Sequence, residues 1–501
     1  MRGMKITTSS WLAVPCVFLA AACGSQGDNP PSAAFPVTVF EGARLITGDG
    51  SAPIEDSVFM VENDQFTRVG RRGDVPIPPA AVRVDLTGKT VMPAKVDVHG
   101  HLGFENVVDG TTSKENFTRE NLTDHLERYA YLGYSAVLSI ADLSEREIMP
   151  GDHLNVYQAP RDPRMPKTGR FPWGDLPFRM QQEVVPGAAL FRTAGQGMSW
   201  PGAGAGGHAS RNDVMYPVTT EEEARRAVRD YVKNNVAFVK IWVDDREGKL
   251  KTLPPPLYRA IIDEARKHNM PVAAHTVKLA DAKELYKAGL EGATHIPVRG
   301  GDVPDDELIA IIKERVAKGD RPLWFTEPGD LVALGPEAWD DPLLWEMLSR
   351  EQVQKQQGDA IKSMTPAAVE RARQSSKATG EAAKKLIAAG MKLVFGSDNG
   401  SAGRGFGWYN QLKFENWVTM GFTPAEAIVM ATRDGAEVAR FNTGLVAAGR
   451  SADFIVLDAN PLENIANTRR INRVYLRGAE VDRAGLRARW QARWSRATAT
   501  Q

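Results

Sequence analysis

Cysteine is almost missing from this chain. Two occur among 501 residues, at 16 and 23, and so few exclude a disulfide-stapled fold. Net charge is missing too: 62 Lys and Arg balance 62 Asp and Glu, which leaves no overall electrostatic footprint for nucleic acid. No apolar run reaches the roughly 18 residues that span a bilayer. No period of about 20–50 residues repeats, which argues against a solenoid or propeller. There is no Gly-x-Ser-x-Gly nucleophile turn and no His-Glu-x-x-His helix. Histidine is scarce, at eight, so the place of each one carries weight. What remains is 43% hydrophobic and 25% charged, a globular balance that excludes a wholly disordered or fibrous chain. The length allows a large core.

The start of the chain reads as an address. Arg2 and Lys5 precede an uncharged stretch from Trp11 to Ala22. Basic, apolar and then small residues is the order of a secretory signal, expected over residues 1–22. The run Leu19-Ala20-Ala21-Ala22-Cys23-Gly24-Ser25 resembles the lipobox of bacterial lipoproteins, with Ala20 where Leu is commoner. That resemblance makes Cys23 the lipidation site and residues 23–35 a tether, for which their Gly, Ser, Asn and Pro content suits a solvated linker. Gly24 in place of Asp points to the outer membrane, facing the periplasm of a bacterial envelope, with the lipid anchor as the only membrane contact. Cys16 would leave with the signal, so no thiol chemistry is expected.

The body alternates between two textures. Residues 36–90 hold short β-rich runs separated by turn signals such as Gly48-Asp49-Gly50, and residues 441–490 return to that texture. Neither end has enough strands to cover its own apolar face, so the two are expected to pair into one small β-sandwich, with residues 491–501 as a tail. Between them, residues 91–440 alternate strand-like and helical patterns, which implies βα units and a parallel sheet. Eight strands are predicted near 90–97, 135–140, 188–193, 236–243, 271–274, 292–296, 322–325 and 392–396, with helical patterns such as 221–234, 257–268 and 280–288 between them. Eight such units predict a (β/α)8 TIM barrel. The Gly-rich stretch 195–207 reads as a loop on its top face.

In a barrel the chemistry sits at the carboxyl ends of the strands, and the conspicuous polar residues fall there. The first strand ends Asp97-Val98-His99-Gly100-His101, where alternation puts both imidazoles on one side, able to grip one metal ion. The fourth carries Lys240 inside the apolar run Phe238-Val239-Lys240-Ile241-Trp242. The fifth ends in His275, the sixth in His295 and the eighth in Asp398. Each has a bland reading: a buried lysine is usually an amphipathic stem reaching water, and one strand-end histidine is usually a satisfied polar residue. Together, four of eight histidines, one lysine and one aspartate meet at one rim, which bland readings do not explain.

Here the sequence resembles the amidohydrolase superfamily of binuclear metal type, in its imidazolonepropionase-like and prolidase-like subgroup. The residues that carry it are 91–101, Val239-Lys240-Ile241, Phe395-Gly396-Ser397-Asp398 and 444–458, with Ala94 standing where the family usually has Gly. The resemblance implies the composite fold of barrel and end sandwich. It implies that His99, His101 and Asp398 hold one divalent ion, that His275 and His295 hold a second, and that Lys240 bridges both as a carbamate made from CO2. Imidazole and carboxylate ligands suit zinc. It further implies hydrolysis of an amide-type C–N bond by a metal-bridged hydroxide, with Asp398 as general acid and base. The substrate would be a small molecule: an N-acyl amino acid, an Xaa-Pro dipeptide, a cyclic amide or a carbamate. The family often forms homo-oligomers.

Alternatives remain at this point. Lactone or phosphotriester hydrolysis would use the same ions. A mononuclear deaminase commonly places Glu three residues after the strand-five histidine, where this chain has Lys278. A non-catalytic lipoprotein that binds metal or solute through a degenerate barrel would normally have lost a ligand. Further rim candidates are His208, Arg299 and Tyr216 for substrate, Tyr134 as an oxyanion donor, Glu327 and Arg404 facing the pocket, and Trp200 and Trp408 as an aromatic wall. His125 and His268 lie in helical patterns and read as packing or surface residues, and His153 has no assignment.

Overall fold

The computed structural model describes residues 37–143, 147–148, 168–170, 174–204, 215–297, 303–327, 329–349, 358, 361–362, 364–400 and 407–499. Cys16 and Cys23 with the signal and tether, and His153, His208, Arg299 and Arg404, lie outside these residues.

The two β-rich ends meet. A four-stranded sheet runs in the order Gln65–Arg71, Ser57–Glu62, Thr38–Glu41, Val82–Asp85. A five-stranded sheet takes Arg44–Leu45 and Thr90–Pro93 from the N-terminal end, and Phe454–Leu457, Ile471–Leu476 and Ala479–Glu480 from the C-terminal end. Phe454 lies opposite Pro93 and Leu457 opposite Thr90, antiparallel. Phe40, Phe59, Phe66, Phe454 and Tyr475 share one buried cluster, with Phe40 on Phe59 at 5.0 Å and Phe454 on Tyr475 at 4.6 Å between ring centres. The strand expected over 90–97 is therefore two strands. Thr90–Pro93 belongs to the end sheet, so the boundary expected at residue 91 falls at Ala94. Only Ala94, directly after Pro93, separates the two, too short a break to part them by periodicity.

The parallel strands follow: β1 (Lys95–Gly100), β2 (Tyr134–Ser139), β3 (Leu190–Thr193), β4 (Val239–Trp242), β5 (Val272–His275), β6 (Gly292–Ala293), β7 (Trp324–Thr326) and β8 (Lys392–Val394). They form two parallel runs, β3-β2-β1 and β4-β5-β6-β7-β8. Backbone hydrogen bonds join both margins: Ala237 donates to Thr193 at 3.0 Å, and Val98 donates to Phe395 at 2.8 Å. Helices cross between strands, among them α1 (Arg119–Tyr131), α2 (Glu221–Lys233), α3 (Pro255–Lys267), α4 (Leu279–Ala288) and α5 (Asp306–Ala317), followed by α6 (Pro366–Ala388) and α7 (Trp408–Thr419). The chemistry of their starts is local. Thr220 and Glu223 close a capping box on α2, and Pro255 opens α3, where its missing N–H costs nothing.

The Gly-rich stretch is not all loop. Gly197–Ser199 forms a short strand between Met215–Pro217 and β4. A Cβ on Gly197 would stand 2.1 Å from the Trp242 ring and 3.0 Å from Lys240 Cγ, so only glycine lets this strand lie against β4. The expected tail is corrected as well: residues from 491 continue the last helix, α8 (Arg483–Ala499). Its Leu486, Trp490 and Trp494 recur every four residues, the period of a helix face. Trp490 is fully buried, donates to Asp124 Oδ1 at 2.9 Å and stacks under the Arg128 guanidinium at 4.4 Å. Trp490→Ala should lower unfolding free energy by about 3 kcal/mol or more, read from urea denaturation.

Lys95 opens β1 as a fully buried lysine. Its ammonium nitrogen lies 2.9 Å from Gln411 Oε1 and 4.5 Å from the centre of the Tyr134 ring. Burial pushes it down to about 7 from an ordinary 10.5, with Glu415 opposing. Between those values the unfolded chain keeps a proton that the folded chain has lost. This group's contribution to stability therefore rises with pH across that window, by about 1.4 kcal/mol per unit at most. Urea denaturation from pH 7 to 9 should show wild type gaining stability relative to Lys95→Met by about 1 kcal/mol per unit. Parallel pH profiles would exclude the ionisation.

Candidate active site

The site begins beneath itself, at Asp97 in β1. Asp97 is buried, and its Oδ1 accepts from the backbone N–H of His99 and of Ser397, each at 3.0 Å. Its Oδ2 accepts from the Tyr129 hydroxyl at 2.8 Å and from Asn410 at 3.2 Å. One carboxylate thus ties the end of β1 to the segment that leaves β8. Gly396 lets them close: a Cβ there would meet His99 Cβ at 2.7 Å. Asp398 takes a left-handed backbone, φ 50°, and its N–H donates to the His99 carbonyl at 2.6 Å. A non-glycine residue held this way is strained, and such strain clusters at functional sites.

Side chains from five strands converge there. His99, His295 and Asp398 each offer a donor atom, and these lie within 4.8 Å of one another. Asp398 Oδ1 is 3.3 Å from His99 Nε2 and 3.1 Å from His101 Nε2. Ring centres are 5.2 Å apart for His99 and His101, 5.2 Å for His99 and His295, and 4.8 Å for His275 and His295. Lys240 is 1% exposed. Its Nζ bonds the hydroxyl of Thr294, the residue before His295, and as an ammonium it would disfavour the charged forms of both His99 and His275. All six expected side chains are therefore in one neighbourhood. The converging trio crosses the expected division, since His295 stands with His99 and Asp398.

Burial sets the ionisation. It pushes His99 below its ordinary range and His275 down to about 4, against the opposing pull of Asp398 and Asp244 respectively. Both shifts favour the neutral ring, the form that binds metal. Burial works against the charge on Asp398, but His99 and the hydrogen bonds from His101 and His99 outweigh it and hold the carboxyl well below its usual range. Neutral imidazoles around an ionised carboxylate are a donor set that fits a divalent cation such as zinc.

Other candidates go elsewhere. Tyr216 is not a substrate contact: it is fully buried, and its hydroxyl donates to Asp230 on α2 at 3.1 Å, towards the helix layer. Tyr134 is likewise buried, with its ring 5.5 Å from Tyr129 and its hydroxyl 3.4 Å from the Asn410 carbonyl, so it is not a rim donor. Tyr134 opens β2, at the strand end away from the carboxyl rim, and Tyr216 turns to the helix side. Glu327 accepts from Gly329 N–H at 2.9 Å and braces the loop after β7. Trp200 carries Lys251 Nζ over its ring at 3.4 Å, and Trp408 begins α7. His125 is a packing residue, accepting from Gly103 N–H at 3.0 Å and donating to the Glu105 carbonyl at 2.8 Å. His268 ends α3. Two partners of the site were not foreseen. Thr326 Oγ1 lies 3.3 Å from His99 Nδ1, and Asp244 Oδ2 lies 2.9 Å from His275 Nε2. An acid in a loop shortly after the lysine strand was the only sequence signal for the second.

The profile of the amidohydrolase family matches residues 90–481. The chain belongs to that family. It is an enzyme, a hydrolase acting on carbon–nitrogen bonds. Among curated relatives, ochratoxinase of Aspergillus niger is 23% identical over 473 residues, covering 86% of this chain and 82% of its own. The 5-methylthioadenosine/S-adenosylhomocysteine deaminase of Halalkalibacterium halodurans is 22% identical over 451 residues, covering 84% and 85%. Among solved structures, a prolidase complexed with N-methylphosphonate-L-proline superposes with a TM-score of 0.60 at 20% identity, covering 89% of this chain and 99% of its own. Family and structural likeness imply the composite fold of TIM barrel and end sheets.

Proposed function

We propose that this amidohydrolase cleaves an amide-type C–N bond in a small molecule, on a closed eight-stranded barrel that carries two divalent ions. The observation that carries the reading is the convergence of His99, His295 and Asp398 donor atoms within 4.8 Å. His99, His101 and Asp398 would hold one ion and His275 and His295 the other, with Lys240 shared as a carbamate. Bound zinc would acidify a water and polarise the scissile carbonyl. Asp398 takes the proton from the attacking water and returns it to the leaving nitrogen. Asp97 keeps Asp398 against β1 through the Ser397 N–H. Tyr129 and Asn410 brace Asp97 from beneath.

The substrates in view are N-acyl amino acids, Xaa-Pro dipeptides, cyclic amides and carbamates. The names of the relatives favour this class, ochratoxinase and prolidase among them. Deamination is the weaker reading despite one relative's name. Lys278 stands where a deaminase's proton-shuttling acid belongs, and it is tied to Asp245 at 2.6 Å. In the cell, residues 1–22 direct export and lipid on Cys23 anchors the enzyme to the outer membrane, facing the periplasm. The test uses the zinc-loaded soluble form that lacks residues 1–23. Metal analysis should give two equivalents per chain, and an amide panel should release carboxylate and amine. Ammonia release from aminopurines without amide cleavage would overturn the proposal.

A further inference from the structure

We infer that Asp244 is a positioning residue, one that fixes the tautomer and rotation of His275 so that Nδ1 is the atom presented to a cation. This rests on the reading of His275 as a metal ligand. Asp244 lies two residues beyond β4 and is 6% exposed. Its Oδ2 faces His275 Nε2 at 2.9 Å. An ionised carboxylate only accepts, so Nε2 carries the proton. That leaves Nδ1 with its lone pair for a cation. Carboxylate–imidazole–metal chains of this kind orient the ring and raise its basicity.

The carboxylate is itself held. Its Oδ1 accepts from Arg246 N–H at 2.9 Å, and Arg246 Nε stands 3.3 Å from Oδ2. Arg246, Glu247 and Gly248 follow with φ of 52°, 61° and 80°, three successive left-handed residues. Such a turn persists only where its surroundings fix it, and here they do. Asp245 is bonded to Lys278 at the start of α4. Val243 N–H donates to the His275 carbonyl at 2.9 Å. The turn is thus pinned on both sides of Asp244, with its acid aimed at one imidazole. Asp244 sits behind the His275 ring, on its Nε2 side, and reaches the site through that ring.

The test compares wild type with Asp244→Ala and Asp244→Asn in the soluble zinc-loaded chain. Zinc affinity is read by competition with a chromogenic chelator, and the ring's coordination by the visible spectrum after cobalt replaces zinc. Asn keeps an acceptor for Nε2–H but no charge, whereas Ala keeps neither. Asp244→Ala should weaken the more loosely held zinc by about 10–100-fold and alter the cobalt spectrum. Asp244→Asn should fall between, with a loss below about tenfold. Wild-type affinity and spectrum in both variants would overturn the inference and leave the hydrolase reading intact. Absence of zinc binding by wild type would overturn both. Should the alanine variant fail to fold, an asparagine variant indistinguishable from wild type would overturn the inference by itself.

Discussion

Replacing Lys240 with alanine should lower kcat/KM by on the order of 1,000-fold or more, and a small carboxylic acid such as propionate should restore part of it. The reason lies in the company this lysine keeps. It is 1% exposed among His99, His275 and His295, which would hold divalent cations. An ammonium there would repel them. On the proposed reading, desolvation and nearby positive charge would favour the neutral amine, which would add to CO2 and lose a proton to give an anion whose oxygens could serve the cations. Alanine removes that anion and leaves a space of the lysine's own length between Thr294 and β4. A carboxylate of the right size can enter that space and supply two oxygens again. Steady-state kinetics with and without propionate read the result. Two outcomes separate the roles. Full activity without additive would remove the carbamate from the account. A dead variant that propionate does not rescue, yet still binds two zinc ions, would leave Lys240 as packing for the strand Gly197–Ser199 at Trp242.

The side chains of the site were legible because each is a polar residue within or at the end of an apolar run, and strand periodicity says which way it points. His99 and His101 are the plainest case: alternate positions of one strand reach the same carboxylate, Asp398 Oδ1. Periodicity failed where two strands share one run. Residues 90–97 read as a single strand, and only pairing with Phe454–Leu457 separates Thr90–Pro93 from β1. Tyr216 was a rim candidate without a predicted strand, and its three-residue strand Met215–Pro217 instead turns the hydroxyl to Asp230 on the helix side. The last helix was missed for another reason. Its arginines dominate the composition, although Leu486, Trp490 and Trp494 mark a buried stripe, and Arg128 and Asp124 on α1 are what that stripe packs against. Asp244 was missed because its one signal, an acid shortly after the lysine strand, says nothing of its partner. Its role depends on a strand from elsewhere in the chain bringing His275 alongside.

Asp398→Asn should reduce amide hydrolysis by on the order of 100- to 10,000-fold, and the size of the loss should depend on the leaving group. An alkyl amine cannot depart as its anion, so the bond to nitrogen breaks only when a proton arrives. The structure offers Asp398 for that transfer: its carboxylate is ionised, held against β1 by its own N–H, and partly open on one side, with 26% of the side chain exposed. His99 and His101 both face one oxygen, Oδ1, at 3.3 and 3.1 Å, and on the proposed reading Oδ2 takes the water's proton. An ester with an acidic phenol as leaving group needs no such protonation. If Asp398 carries the proton, the asparagine variant should lose at least about tenfold less on the ester than on the matching amide. If Asp398 serves only to hold a cation, both substrates should suffer alike, since both need the same activated water. Matched kcat/KM values for the amide and ester pair, taken with zinc content per chain for each protein, decide between the two. Equal losses with zinc retained would remove the proton transfer from the mechanism.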